Sequence, residues 1–234
     1  MKHLAVLLLS IFVGTSASSQ SIHDAWNTLL QKNVSKDGHV DYSGFNRSIG
    51  EVEKYILTLE ANIPELSEDR NKYMAFWINA YNVTALYYVL DNTLLKSINE
   101  KGEPWDKPLF NLKGKKVSLN HIEHEILRPL GDARIHFAVN CASYSCPRLL
   151  NRAFYGKNLE MDLEYLTKDF LQDGRKNIFH GEGAVSVSKI FEWFADDFIY
   201  SAGSVRGFLE KYGPEKEVLN IKFKNYIWDL NGSW

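Results

Sequence analysis

Residues 73–90 are apolar at almost every position, and the polar exceptions, Asn79, Asn82 and Thr84, carry no charge. Such a stretch has no polar stripe to turn toward water, so it predicts a helix buried on all sides at the centre of a domain. Ser67 is placed to cap that helix, and Glu68 and Asp69 suit its positive end. Apolar residues at helical spacing predict further helices over residues 22–31, 45–59, 159–172, 189–199 and 205–212. Asn120 is positioned to cap a short helix over residues 121–127, which Pro129 ends, and Ser188 to cap the one that follows it.

Extended segments are fewer. Residues 109–112 and 115–119 flank Lys113-Gly114, and residues 177–180 and 184–187 flank Gly181 to Gly183, so each set predicts a hairpin. Asp37-Gly38 suits a small turn of the same kind, and residues 221–230 form an extended ending. Arg134 to Val139 alternates, with Ile135, Phe137 and Val139 on one face and Arg134, His136 and Ala138 on the other, the pattern of a strand. A small polar loop follows it, closing on Pro147, a residue suited to the first turn of a helix. The elements add up to an α+β fold, in which a central buried helix packs with other helices against a small, mainly antiparallel sheet.

Composition changes the picture at the start of the chain. Lys2 and His3 precede an apolar run from Leu4 to Val13 and a small-residue tail, the layout of a secretory signal peptide over residues 1–19. The run is too short for a transmembrane anchor, which needs roughly 20 apolar residues. The expectation is an exported chain, periplasmic or secreted, with residues 20–234 as one domain. A hydrophobic content of 45% is ample for a core. The formal charge of −2 lacks the basic excess that nucleic-acid binding relies on, so nucleic acid is not an expected partner.

Several blocks carry a resemblance. Phe76-Trp77-Ile78-Asn79-Ala80-Tyr81-Asn82, Ile122-Glu123-His124-Glu125-Ile126-Leu127-Arg128 and the run from Arg134 to Pro147 resemble the family called domain of unknown function 547. Lys189 to Phe194, Asp196-Asp197-Phe198 and Tyr226 to Asn231 are similar to its later blocks, although Ile227-Trp228 stands where an Asp-Trp pair is expected. The resemblance implies a bacterial exported member of a family with no agreed activity. It also implies a looser similarity to papain- and transglutaminase-like cysteine hydrolases.

The candidate chemistry lies in the same blocks. Cys146 before Pro147 is the candidate nucleophile, since a thiol at a positive helix end with a histidine nearby is more readily ionised. His136 and His124 are the candidate bases, and Glu123 or Asn79 would orient an imidazole. Loop amides from Ser143 to Cys146 would serve an oxyanion. Asn79, Asn82, Arg134, Cys141 and Ser143 are candidate binding residues. The two amides three apart would either satisfy loop backbone or face a cleft. The first functional expectation is a cysteine-type hydrolase acting on an amide or peptide bond. The alternative is a non-enzymatic envelope module for a peptide, glycan or protein partner, with Cys141 and Cys146 joined as a structural disulfide. His121 and His124 make only half of a metal site, and neither a metal nor another cofactor is expected.

Overall fold

The computed structural model describes residues 21–234. The expected signal peptide, residues 1–19, lies outside the described residues. Helix α1 (Asp24–Asn33), a short strand β1 (Val40–Asp41), α2 (Tyr42–Arg47) and α3 (Ile49–Ala61) lead to α4 (Arg70–Asp91), the expected central helix. From Met74 to Leu90 every residue of α4 except Tyr87 is buried. With no solvated face it is held by what surrounds it, and α2, α3 and the later helix over residues 159–172 pack along it. Its cap is Asp69 rather than Ser67: the Asp69 carboxylate accepts from the Asn71 and Lys72 amides at 2.9 and 3.0 Å, while Ser67 sits in the preceding turn. The expected second helix is broken into α2 and α3 at Ser48.

A hairpin of β2 (Phe110–Leu112) and β3 (Lys115–Val117) follows, turning through Lys113 and Gly114, both at positive φ. The helix expected next is a wide, π-type segment, His121–Leu127. Asn120 does not cap it, because its side chain reaches Asp106 at 2.7 Å; Ser118 Oγ accepts from the His121 amide instead. Helix α5 (Leu159–Gln172) has the expected bounds. The second expected hairpin forms as β4 (Ile178–Phe179) and β5 (Ala184–Val187). The single helix expected over residues 189–199 is instead α6 (Ile190–Trp193) and α7 (Ala195–Ala202), parted at Phe194. Helix α8 (Val205–Tyr212), β6 (Asn220–Phe223) and β7 (Gly232–Ser233) complete the chain.

The fold is α+β. Its strands are spread over small sheets: β2 with β3, β4-β5-β6, and a parallel pair of β1 with β7. Pairing is mostly antiparallel once isolated bridges such as Ser143 to Leu230 are included. Among the described residues no helix is long and apolar enough to cross a membrane.

Two expectations around residues 134–147 are corrected. The segment read as a strand is a 3-10 turn, Ala133–Phe137, started by Asp132, whose carboxylate accepts from the Arg134 amide at 3.1 Å. Alternation marks a strand only where one face stays wet; here Ile135, His136 and Phe137 are all buried, between α5, α7 and the pocket described below. Phe137 alone packs against Phe170, Phe191, Phe198 and Phe208. Pro147 opens no helix either. The next helical turn starts at Gly156, and the Pro147 carbonyl is held by the Asn140 amide at 2.6 Å, which fixes it in the loop.

Candidate functional site

The two asparagines of α4 set the frame. Asn79 donates to the Phe154 carbonyl at 2.8 Å and accepts from the Phe154 amide at 3.0 Å. One turn on, Asn82 donates to the Ala138 carbonyl at 3.0 Å and accepts from the Asn140 amide at 2.8 Å. Each side chain therefore acts as a surrogate strand edge for an irregular segment that would otherwise carry unpaired buried backbone groups. Neither lines the pocket.

Asn82 delivers the chain to the loop of residues 140–147. Asn140 spans that loop, accepting from the Ala142 amide at 2.9 Å while donating to Pro147. Cys141 and Cys146 are joined across it, with their Cα atoms 6.2 Å apart. The C-terminal segment straps its outer side: the Tyr144 amide donates to the Asp229 carbonyl, and the Asn231 amide to the Ala142 carbonyl. Behind the disulfide, buried Ser143 places its Oγ 3.2 Å from both Cys141 Sγ and Tyr226 Oη.

One face of the disulfide borders a pocket of about 190 Å³. Glu123, His124, His136, Cys141 and Cys146 line it, so five of the residues singled out from the sequence come together here. Arg134 does not; its guanidinium pairs with Asp132 and Glu160 at 2.6 and 2.7 Å. Another part of the lining is an aromatic wall. Trp193 stacks on Trp228 with ring centres 5.7 Å apart, and Tyr226 and Trp105 pack against Trp228 at 4.5 and 5.3 Å.

His136 is buried, with Phe194 stacked on its ring at 3.9 Å. Its Nε2 lies 2.7 Å from Asp197 Oδ2. Its Nδ1 has no hydrogen-bond partner; Glu123 Oε1, at 3.6 Å, is a charge neighbour rather than a bonded one. Burial works against a charged imidazole, but the Asp197 bond and the two carboxylates outweigh it and raise its pKa above the ordinary value. Asp197 is shifted the other way. Despite partial burial, His136 and the Arg128 guanidinium, which grips both its oxygens at 2.7 and 2.9 Å, hold its carboxyl well below the usual range. Arg128 also reaches His124 Nδ1 at 2.7 Å, and since arginine only donates, that nitrogen accepts.

Asp197 and the aromatic wall are parts of the site that the sequence does not announce. Asp197 follows an aromatic stripe that reads as core, and nothing local ties it to a histidine 61 positions earlier. Tyr226 and Trp228, two apart in an extended segment, did carry a signal, since such residues share one face.

This geometry sets a buried histidine, braced at one nitrogen and without a hydrogen-bond partner at the other, beside a disulfide and a ring-lined recess. Residues 64–171 match a family described as protein of unknown function, DUF547. The DUF547 match covers Tyr81, Glu123, His124, His136 and both cysteines, whereas Asp197 and the rings of Trp193, Tyr226 and Trp228 come from beyond it. No curated protein and no solved structure matches the chain. Among the described residues, no group of three or more His, Cys, Asp and Glu side chains is arranged to hold a metal ion.

Proposed function

We propose that this chain is an exported binding module whose pocket holds a glycan or peptide segment of the cell envelope. The observation that supports the reading is the presence in one pocket of an aromatic wall, Trp193, Tyr226 and Trp228, and of the polar side chains of Asn120 and Glu123. Flat rings take the apolar face of a sugar or side chain, and a few polar groups orient it. The disulfide keeps the loop beneath the ligand in shape and leaves no free thiol to react. Titrating the protein with a panel of oligosaccharides and short peptides, followed by tryptophan emission, tests this directly. Trp228→Ala should weaken the best ligand about tenfold or more, or about 1.4 kcal/mol. Cys146→Ala should change its affinity little. A panel without a binder, or an unaltered affinity in the Trp228 variant, would sink the reading.

A second reading is favoured by one specific feature, the shared pocket of Cys146, His136 and Glu123. Once reduced, Cys146 would attack an amide or peptide carbonyl with His136 as base, braced by Asp197 at its far nitrogen. His124 is the weaker base, because its Nδ1 is already occupied by Arg128. On this reading, the reduced protein turns over a member of an amide panel and Cys146→Ser abolishes that turnover. Turnover that survives the substitution rules the cysteine mechanism out.

A further inference from the structure

We propose that the Cys141–Cys146 disulfide is a thiol-exchange site with a built-in direction: an incoming thiolate attacks Cys141 Sγ, and Cys146 leaves as a thiolate into the aromatic pocket. The inference does not depend on what that pocket binds.

The two sulfurs differ in access and in surroundings. Cys141 is half-buried, whereas Cys146 is only 4% exposed, so Cys141 is the more exposed residue of the pair and the one we assign as the point of attack. The Cys141 backbone amide donates to Cys146 Sγ at 2.9 Å. That same donor is in place for the anion once the bond opens, and a stabilised thiolate is the better leaving group. Cys141 Sγ faces only the hydroxyls of Ser143 and Tyr226, at 3.2 and 3.4 Å. The departing sulfur also shares its pocket with His136, which its two carboxylates keep inclined to carry a proton.

The loop is built to survive the opening. Asn140 bridges Ala142 and Pro147 without help from the sulfurs, and the Lys176 ammonium holds the Cys146 carbonyl. The terminal strap adds the Tyr144, Ser145 and Asn231 amide bonds. A short disulfide loop contributes little by chain entropy, so losing it leaves most of this scaffold intact.

The step balances. The new bond joins the incoming sulfur to Cys141 as the Cys141–Cys146 bond breaks, and the bonding pair stays on Cys146. The incoming thiol is oxidised to the mixed disulfide while Cys146 is reduced, and Cys146 takes a proton from His136 or water. A second thiol then resolves the mixed disulfide and frees Cys141. The co-reactant is a small or peptide thiol.

The test uses the mature chain equilibrated with reduced and oxidised glutathione in varied ratio, acid-quenched, alkylated and mapped by mass spectrometry. Far-ultraviolet circular dichroism is followed in parallel. The expected result is reversible reduction with an unchanged dichroism spectrum and the glutathione adduct on Cys141. A disulfide that opens only as the dichroism is lost, or an adduct on Cys146, overturns the proposal. Cys141→Ser isolates the remaining thiol in a chain that never needs reduction. Its rate of iodoacetamide labelling should rise through a midpoint clearly below about 8.5, the ordinary thiol value. A midpoint at or above that value removes the basis for Cys146 as the leaving sulfur.

Discussion

His136→Ala should lower the unfolding free energy by about 3–5 kcal/mol, the range for removing one member of a buried charged pair. The side chain is buried, bonded to Asp197 at 2.7 Å and close to Glu123. Its removal leaves the buried Glu123 carboxylate without its cationic neighbour and opens a void under Phe194. Asp197 keeps Arg128, which is why the loss should fall short of two uncompensated charges. The same network gives stability a pH signature. Because the folded His136 pKa is raised above 6.5, its contribution is complete below 6.5 and is lost as pH rises through the folded value. Because the folded Asp197 pKa is depressed below 3.8, its contribution is complete above 3.8 and is lost as pH falls through the folded value. Urea midpoints should therefore be higher near about pH 5.5 than near about pH 8.5, and His136→Ala should flatten that difference. A loss under about 1 kcal/mol, or an unaltered pH slope, would show that the cluster is held by packing alone.

The legibility of this chain follows the same physics. Helix α4 could be read because it lacks a polar face, a pattern few other structures accommodate. Helices α5 and α8 could be read because their apolar spacing stops where they stop. The turn at Lys113 and Gly114 announces itself by residue type. The segment around His136 could not be read correctly. A histidine between Ile135 and Phe137 looks like the wet side of a strand unless its distant acid is known, and Asp197 lies on another helix. Ser67 has the residue type of a cap for α4, but a carboxylate two positions later does the work with two amides at once. The site is half visible for a related reason. Its loop side is contiguous around Cys141 and Cys146, but its aromatic side is brought in by α6 and the terminal strap, over long separations that no local pattern encodes.

Asn82→Ala is expected to cost about 2–6 kcal/mol, although Asn82 does not line the pocket. Its amide satisfies the Ala138 carbonyl and the Asn140 amide, and the segment it holds is buried. Truncation strands both backbone groups, each at about 1–3 kcal/mol. The isosteric Asn82→Asp separates the two bonds: it keeps the acceptor for Asn140 but sets a carboxylate against the Ala138 carbonyl. That variant should be at least as unstable near neutral pH and should recover part of its stability in acid, where the protonated oxygen becomes a donor. The damage should also travel. Asn140 reaches both Ala142 and Pro147, so an unanchored Asn140 loosens the backbone carrying the disulfide. In native-state hydrogen exchange, the Ala142 amide of the Asn82 variants should lose protection beyond the global drop in stability. Were it to fall only in step with global unfolding, the loop would be held by the terminal strap, through the Asn231 bond to Ala142, rather than by the central helix.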